Sequence, residues 1–374
     1  MKILMQSRRT VFSAPGGDTV QLLQTREQLQ SLGCTVEIST DLEPNLRGFD
    51  LVHLFNVTRP QETYTQALNA KRQNVPIALS TIYVSFAEFD RQSRGGVLGL
   101  ASRWLDDNHI EYMKIAGRAV RNREWHAGAI RCLLKGRNRL IRETLGLADV
   151  LLPNSHSELG RLGAHFDVVT SKRIVIVPNG VDPNLFSPST DLQEDERYRG
   201  CILCVARIEG VKCQLELVRA MRDLPWRLVL VGAPALNHEH YYRQVLREAG
   251  DNVEILGWRE HKSLPSLYRA AKVHVLASWG ETTGLSSLEA AAVGRNIVIT
   301  AKGDTREYFR DLAYYCTPGS VESIRESIVA AYNDPPNPLL RRTVLDNYTW
   351  RRAAEETLRG YEIVLQTRAS LAYA

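Results

Sequence analysis

Cysteines are few in this sequence and stand far apart along it. There are six among 374 residues. Their positions are Cys34, Cys132, Cys201, Cys204, Cys213 and Cys316. Small secreted domains are held together by closely spaced cysteines, so this scatter excludes a disulfide framework. We expect reduced thiols and a cytoplasmic protein.

Hydrophobic runs long enough to cross a membrane are missing too. A spanning helix needs about 18 apolar residues, and no uncharged run in the sequence comes near that length. The opening MKILMQSRR turns polar too early for a signal peptide, whose apolar region is roughly 7–15 residues long. The sequence therefore predicts a soluble protein, or one that lies at the inner face of a membrane.

Several motifs that would indicate a metal or a cofactor are absent. The histidines show no H-E-x-x-H spacing, and no Asp-x-Asp follows an apolar strand. There is neither a G-x-S-x-G nucleophile elbow nor a G-x-G-x-x-G dinucleotide fingerprint. Cys201-x-x-Cys204 lacks the second pair of a zinc site, and core packing is the better interpretation. We expect no metal and no bound cofactor.

The residues that are present indicate a globular α/β protein. Hydrophobic residues make up 44% and charged residues 24%, as in typical globular domains. Short β-branched runs alternate with helical patterns, and this alternation predicts parallel sheets with helices on both faces. The predicted strands are Lys2–Gln6, Thr35–Ile38, Asp50–Leu54, Pro76–Ile82, Val150–Leu152, Arg173–Val177, Cys201–Ala206, Arg227–Val231, Val253–Leu256, Val273–Ala277 and Asn296–Thr300. Between the first two strands, a helix is predicted over Thr19–Leu32 with Asp18 as its N-cap.

A proline-rich stretch, 178–188, divides the strands into two series. The predicted architecture is therefore two doubly wound domains of similar size, facing each other across a cleft. We place the first domain at 1–177 and the second at 178–348, with a terminal helix over 349–374. Sheets of this kind bind ligands beyond the carboxyl ends of their strands.

Two carboxylates stand eight residues apart in the stretch 277–294, where a buried strand runs into a glycine-bearing loop and a helix. Free N–H groups at the start of that helix, near Leu285 to Leu288, would hold an anion. Glu281 and Glu289 would repel a bare phosphate but would bind hydroxyls, so a sugar or ribose ligand is favoured. The alternatives are a solvated loop acid for Glu281 and a capping box, Ser286-x-x-Glu289, for the second acid.

Two basic residues follow the first strand of the second series. Arg207 lies just past its carboxyl end, and Lys212 lies at the start of the next helix. A guanidinium fork and an ammonium point charge at that place would clamp a diphosphate. The alternative is a pair of solvated surface charges.

A glycine pair, Gly16-Gly17, stands where the first strand of the whole chain meets its first helix. Glycines there let a ligand approach the backbone closely, although such pairs are also ordinary turn material. On its own the pair supports a ligand site only weakly.

Together these stretches resemble the retaining glycosyltransferases of family 4, which have the GT-B fold. The resemblance rests on four features in order: the segment VPNGVD at 177–182, the pair Arg207 and Lys212, the E-x7-E spacing of Glu281 and Glu289, and the segment YTW at 348–350 before the terminal helix. It covers nearly the whole chain and is strongest after residue 175. It implies an enzyme of polysaccharide or glycoconjugate biosynthesis.

The resemblance also implies roles for single residues. Arg207 and Lys212 would hold the diphosphate of a nucleotide-sugar donor, and the backbone of Gly284, Leu285 and Ser286 would support them. Glu281 would contact the transferred sugar and Glu289 the ribose, with the base near Trp258. Gly16 and Gly17 would lie near the phosphates and the acceptor.

The chain also departs from the family pattern in two places. Many members carry a histidine after a first-domain strand, close to the transferred sugar, and here Tyr83 is its candidate replacement. Thr282 and Thr283 precede Gly284 where the family has other residues, which would alter contacts to the sugar.

Two other functions fit part of this pattern. A nucleotide-sugar epimerase would share the fold but needs further acid and base groups. A non-catalytic two-domain binding protein would not need both the basic pair and the two glutamates. The acceptor is expected to be a glycan, a lipid-linked group or another hydroxyl compound, and the family resemblance leaves no role for nucleic acid.

The stretch 91–145 is strongly basic. It holds twelve basic and five acidic residues, a larger positive excess than the +5 of the whole chain. Tryptophans and leucines are interleaved with the basic residues, a pattern that favours contact with an anionic membrane. A solvated helical face with core aromatics explains the stretch equally well, and an anionic glycan acceptor would also explain its charge.

Overall fold

The structure is a computed structural model that describes residues 1–84, 86–92, 127–188 and 195–372. The chain forms two compact units. The first contains the described parts of Met1–Arg91, Gly95–Pro178 and Trp350–Ala374. The second contains those of Gln92–Arg94 and Asn179–Thr349. Most of the basic stretch, 93–126, lies outside the described residues.

One parallel sheet of six strands forms the centre of the first unit, within the residues described. Its strands are β1 (Lys2–Gln6), β2 (Thr35–Ser39), β3 (Leu51–Phe55), β4 (Ile77–Ser80), β5 (Val150–Leu151) and β6 (Arg173–Ile174). They stand in the order β2-β1-β3-β4-β5-β6. The order reverses between β1 and β3, and such a switch point opens a crevice at the carboxyl ends of those strands.

The second unit contains a matching sheet, again with six strands among the residues that the structure covers. They are β7 (Ile202–Val205), β8 (Leu228–Val231), β9 (Val253–Gly257), β10 (Val273–Leu276), β11 (Asn296–Thr300) and β12 (Tyr314–Cys316). All neighbours are parallel, in the order β12-β11-β10-β7-β8-β9. Here the order reverses between β7 and β10. The predicted doubly wound α/β architecture is confirmed.

Helices connect these strands and cover the sheets. In chain order they are α1 (Gly17–Ser31), α2 (Pro60–Arg72), α3 (Ala87–Gln92), α4 (Ala127–Lys135), α5 (Arg137–Leu147), α6 (His156–His165), α7 (Gln214–Ala220), α8 (Glu239–Glu248), α9 (Leu264–Ala270), α10 (Leu285–Ala292), α11 (Thr305–Phe309), α12 (Val321–Asn333), α13 (Pro338–Asn347) and α14 (Trp350–Ala372). Central strands are largely apolar runs, such as the fully buried LVLV of β8. That pattern is expected of parallel strands buried on both faces.

The terminal helix α14 belongs to the first unit, where it packs on α1. Its Tyr361 hydroxyl lies 2.7 Å from Nδ1 of His53 on β3. The other ring nitrogen of His53 lies 2.8 Å from the Ser80 hydroxyl. Because the ring is buried, its pKa falls to about 3, and the histidine stays neutral. The chain therefore returns after the second unit to complete the first core.

Four local predictions need correction. Strand β6 ends at Ile174, three residues before the predicted Val177. Strand β4 ends at Ser80, two residues early, because Ile82 adopts a left-handed φ of 48° that a β-strand cannot contain. The short edge strand β12 was not predicted. Asp18 does not cap α1, whose N-cap is Gly16. The Asp18 carboxylate is bound by the Arg8 guanidinium, whose Nε lies 2.6 Å from Oδ2.

Within the residues described, no helix combines the length and the apolar character needed to cross a bilayer.

Candidate active site

The switch point of the second sheet brings two of the predicted stretches to one edge. Arg207 follows β7, and Glu281 follows β10, which is hydrogen-bonded to β7. The carboxyl ends of neighbouring parallel strands lie side by side, so the loops that follow them share the crevice. A direct backbone bond joins these loops, since Trp279 N donates to the Val211 carbonyl over 2.8 Å.

The loop after β7 is fixed by backbone contacts to the loop after β8. Ile208 N donates to the Ala233 carbonyl at 2.9 Å, and Ala235 N donates back to Ile208 at 3.1 Å. Gly232 makes this approach possible, because a Cβ at its position would lie 1.9 Å from the Ala206 carbonyl oxygen. The side chain of Gln214 closes the loop by donating to the Arg207 carbonyl at 2.8 Å.

The two predicted diphosphate ligands have different partners in this loop. Lys212 ends a 3-10 helix, Gly210–Lys212, and its Nζ lies 2.5 Å from Oε1 of Glu281. Their side chains are only 20% and 11% exposed. Arg207 is 47% exposed and pairs instead with Glu209, with Nη2 at 2.9 Å from Oε1. The structure thus brings Lys212 and Glu281 into direct contact and leaves the Arg207 guanidinium more open to solvent.

The backbone around Glu281 is fixed by the segment after β11. Glu281 N donates to the Lys302 carbonyl at 3.2 Å, and Asp304 N donates to the Glu281 carbonyl at 2.9 Å. Gly303, between them, has a φ of 93°, and a Cβ there would lie 1.9 Å from the Glu281 carbonyl oxygen. A side chain at position 303 would therefore displace Glu281.

Helix α10 begins at Leu285, with Gly284 as its N-cap at a φ of 79°. The N–H groups of Ser287 and Leu288 donate to the Gly284 carbonyl. The amides of Leu285 and Ser286 come before the first intrahelical bond, so these two fit the predicted anion contacts best. A Cβ at Gly284 would lie 2.8 Å from Cδ1 of Ile299, so close packing favours glycine at this position as the backbone conformation does.

The two threonines before Gly284 differ in accessibility. Thr283 is fully buried, and its hydroxyl accepts a bond of 3.1 Å from the Asn179 side chain. Asn179 N donates in turn to the Tyr308 hydroxyl at 3.0 Å. Thr283 therefore fixes the base of the loop, and Thr282, which is partly exposed, is the one open to a ligand.

Glu289 is held through both oxygens of its buried carboxylate. The Tyr268 hydroxyl donates to Oε2 at 2.7 Å, and His261 Nε2 lies 2.7 Å from Oε1. The capping-box alternative for this residue is wrong, because the helix N-cap is Gly284 and the carboxylate faces a tyrosine and a histidine. Sequence reasoning missed both partners, which precede Glu289 by 21 and 28 residues.

Trp258 follows β9, and its side chain is among the most exposed large apolar groups of the described residues, at 67%. The residue before it, Gly257, has a φ of 67°. An open indole at the carboxyl end of a strand is able to stack on a planar ring. The predicted base contact remains a prediction.

In the first unit, the loop between β1 and α1 carries the glycine pair. Gly16 has an extended φ of −154°, which any residue can adopt, so the conformation does not require glycine there. The loop is shaped by Arg8, a buried residue that sequence reasoning missed. Its guanidinium binds Asp18 and the carbonyls of Thr10 and Ala14 at 2.6–3.0 Å.

Tyr83, the candidate replacement for the family histidine, has a buried ring. Its hydroxyl lies 2.7 Å from Nδ1 of His165. Its backbone N–H donates to Oε1 of Glu158 at 2.7 Å, next to the Thr81 hydroxyl on the same oxygen. The side chain is thus engaged within the first unit, and its predicted contact to a sugar remains a prediction.

The cysteines near these loops are buried thiols. Burial raises the pKa of Cys201 and of Cys204 to about 12, so both stay protonated. Neither is part of a disulfide. In the parts of the chain that are described, no three histidine, cysteine or acidic side chains group together as metal ligands would. The interpretation of Cys201-x-x-Cys204 as core packing agrees with this.

Comparison with known proteins gives a family match for the second unit. The family model described as glycosyl transferases group 1 matches residues 191–349. The D-inositol 3-phosphate glycosyltransferase of Corynebacterium urealyticum is 26% identical over 332 residues, which span 77% of this chain and 75% of the relative. The protein of the same name from Corynebacterium aurimucosum is 29% identical over 335 residues, with the same coverage.

Solved structures resemble the whole chain in fold. A sucrose-phosphate synthase from Thermosynechococcus elongatus superposes with a TM-score of 0.66 at 18% identity, covering 100% of this chain and 98% of its own. Anabaena HepE, solved in complex with UDP and glucose, superposes with a TM-score of 0.64 at 15% identity, covering 100% of both chains. The predicted GT-B fold is confirmed by these matches.

Proposed function

We propose that this chain, whose residues 191–349 match the glycosyl transferases group 1 family model, moves a sugar from a nucleoside-diphosphate sugar to a hydroxyl acceptor with retention of configuration. The observation that carries the proposal is the Lys212–Glu281 contact beside the start of α10. It places a cation, a carboxylate and helix N–H groups at one switch point, which suits a ligand with a diphosphate and sugar hydroxyls.

When the donor binds, its groups replace the contacts that these side chains make with each other. The diphosphate binds the Lys212 ammonium and the amides of Leu285 and Ser286, and Arg207 adds a second cation. Hydroxyls of the transferred sugar donate hydrogen bonds to Glu281. Glu289 accepts from the ribose hydroxyls, and Trp258 stacks on the base. Of the first unit, Gly16 and Gly17 serve the phosphates and the acceptor, and Tyr83 contacts the transferred sugar.

The reaction breaks the bond between the anomeric carbon and the diphosphate oxygen. Negative charge develops on the departing diphosphate, and the fixed cations and helix dipole stabilise it. The acceptor hydroxyl attacks on the same face, its oxygen bonds to the anomeric carbon, and its proton passes to a phosphate oxygen of the leaving group. This route gives retention without a carboxylate nucleophile.

Product analysis tests the reaction. The chain is first screened by thermal shift with UDP, GDP and ADP and their sugars, because a ligand at 100 times its Kd adds about 2.7 kcal/mol of stability. The donor that binds is then incubated with polyol, sugar-phosphate and glycan acceptors. We expect free nucleoside diphosphate and a glycoside whose anomeric configuration, read by NMR, matches the donor.

Two other outcomes would contradict this function. An isomerised nucleotide sugar without a new glycoside would identify an epimerase. A glycoside of opposite configuration would leave transfer in place and refute retention.

Transfer is expected to need no divalent metal. The positive charges offered to the diphosphate are those of Lys212, Arg207 and the start of α10, and no Asp-x-Asp motif is present to hold an ion. We expect the initial rate to change less than twofold when EDTA is added. Loss of activity with EDTA and recovery with Mg²⁺ or Mn²⁺ would overturn this prediction.

A peripheral contact with anionic membrane is the second part of the proposal. In the described part of the basic stretch, α4 exposes Ile130 and Leu134 one turn apart, and Leu134 is 82% exposed. Exposed cations follow at Lys135 and Arg139, which share Glu143 as an ion-pair partner, and at Arg142, which pairs with Asp167. Apolar side chains next to cations favour the surface of a membrane that contains acidic lipids.

Vesicle sedimentation tests this contact. Each cation near the surface contributes about 1 kcal/mol, so neutralising Arg137, Arg139 and Arg142 together should weaken binding to phosphatidylglycerol vesicles about 100-fold. Binding should also fall with added salt, because screening shortens the reach of the charges. No sedimentation of the unmodified chain at low ionic strength would refute the contact.

A further inference from the structure

His261, a hydrogen-bond partner of Glu289, has no role in the reaction proposed for this site. The Glu289 carboxylate on α10 is buried, and each of its oxygens already has one protein partner. A carboxylate oxygen has two acceptor positions. One position on each oxygen therefore remains for a ligand, and two adjacent hydroxyls could fill both.

The two partners also fix the plane of the carboxylate. The last torsion of a glutamate is broad and roughly two-fold, so an unanchored carboxylate turns freely. Tyr268, on α9, is fully buried and anchors Oε2 at 2.7 Å. His261 anchors Oε1 at the same distance from the partly exposed side. With both oxygens held, the free acceptor positions have a defined direction.

His261 is itself held in place by packing. It begins the 3-10 helix His261–Ser263, which follows β9. Its ring lies 5.2 Å from that of Phe186, and Phe186 packs edge-on against Tyr268 at 5.7 Å. The histidine and the tyrosine that hold Glu289 thus share one aromatic neighbour, and this cluster sets the position of both.

We propose that His261 is a positioning residue for the nucleoside: it aligns the Glu289 carboxylate for the two ribose hydroxyls, and it thereby sets the preference for ribonucleoside over 2′-deoxyribonucleoside diphosphates. This inference rests on the proposed function of Glu289. It assigns to His261 no contact with the reacting atoms, only the orientation of the group that binds the ribose.

The same geometry makes the preference depend on pH. The charged groups that face His261 are Glu289 from α10 and Asp182 from the segment before the second sheet, and Tyr268 is the other titratable neighbour of the carboxylate. Burial lowers the pKa of His261, but the hydrogen bond and the charge of Glu289 outweigh it and raise the pKa above its ordinary value. The imidazolium form, with its stronger charge-assisted bond, is present at low pH and is lost as the pH rises through that pKa.

Calorimetric titration with matched nucleotides tests the inference. UDP, GDP and ADP are each compared with their 2′-deoxy forms on the unmodified chain, His261→Ala, His261→Gln and Lys262→Ala. The measured quantity is the ratio of the two dissociation constants. For His261→Ala at pH 6, we expect the ribose preference to fall at least about threefold, while affinity for the deoxynucleotide changes less than twofold.

The other variants separate positioning from simple stability. His261→Gln keeps a side-chain donor and should recover part of the preference, without its pH dependence. Lys262→Ala removes an exposed neighbour and should leave the ratio unchanged. In the unmodified chain the preference should decrease from pH 5.5 to pH 8.

Four results would overturn the inference. An unchanged ratio in His261→Ala would show that Glu289 needs no alignment. Equal loss of both nucleotides would show a structural role alone. Failure of the unmodified chain to bind any of the nucleotides, or an unchanged ratio in Glu289→Gln, would refute the proposed function itself and the inference with it.

Discussion

Replacing Lys212 with alanine is expected to lower kcat for glycosyl transfer at least about 100-fold. The ammonium is the most enclosed cation at the switch point, and it would stabilise the charge that develops on the leaving diphosphate. Removing one such preorganised contact typically costs about 2.7–4 kcal/mol of barrier. Steady-state kinetics with the donor found by thermal shift would measure the loss.

The variant also removes the partner of Glu281, whose side chain is 11% exposed. A buried acceptor left unpaired costs about 1–3 kcal/mol or more, so the melting temperature should fall as well. Lys272→Ala is the matched control, because that lysine lies over the ring of Tyr332 and contacts no acid of the site. Near-normal kcat/KM in folded Lys212→Ala would refute the diphosphate clamp.

Arg207→Ala should also reduce turnover about 100-fold, and it should lower the melting temperature as well. The guanidinium is 47% exposed, but its partner Glu209 has a side chain only 11% exposed, so the variant leaves an enclosed carboxylate without this ion pair. A large drop in melting temperature with normal turnover would contradict this assignment.

Glu281→Gln and Glu289→Gln are expected to affect different steps. Hydrogen bonds to a charged group contribute about 1.5–3 kcal/mol, which corresponds to a 10- to 100-fold effect. Glu281→Gln should reduce kcat/KM by that amount while the affinity for free nucleoside diphosphate stays within about threefold. Glu289→Gln should weaken both, because the nucleoside is common to the donor and the product.

Calorimetry of the free nucleotide and kinetics of transfer, carried out on both variants, would separate the two roles. Glu322→Gln changes an exposed glutamate on α12 and serves as the control. Equal loss of nucleotide affinity in the two variants would contradict the division between sugar and ribose.

Most of the sheet architecture could be predicted from the sequence, because buried parallel strands are short apolar runs between helical patterns. Strands β1 and β11 match their predicted bounds. Strand β12, with only three residues at the sheet edge, was missed, because so short a run carries no periodicity. The enzyme class was also predicted correctly, since the family match and the relatives are glycosyltransferases.

The contacts of the site were less accessible to sequence reasoning. Strand order alone implies that Lys212 and Glu281 share an edge, because β7 and β10 are the neighbours at the switch point. By contrast, Asp18 was predicted to cap α1, but the helix begins one residue before it, at Gly17, with Gly16 as the N-cap. The Asp18 carboxylate accepts a hydrogen bond from Thr19 N in the first turn and is also bound by Arg8, a partner that only the fold reveals.

The Lys212–Glu281 pair has a consequence for product inhibition. A complete donor replaces both halves of the pair, since its diphosphate takes the ammonium and its sugar hydroxyls take the carboxylate. The nucleoside diphosphate product binds only the Lys212 ammonium and leaves the enclosed Glu281 carboxylate without that partner. Under the proposed function, the resting ion pair therefore competes with the product more effectively than with the substrate, and it favours turnover when spent nucleotide accumulates.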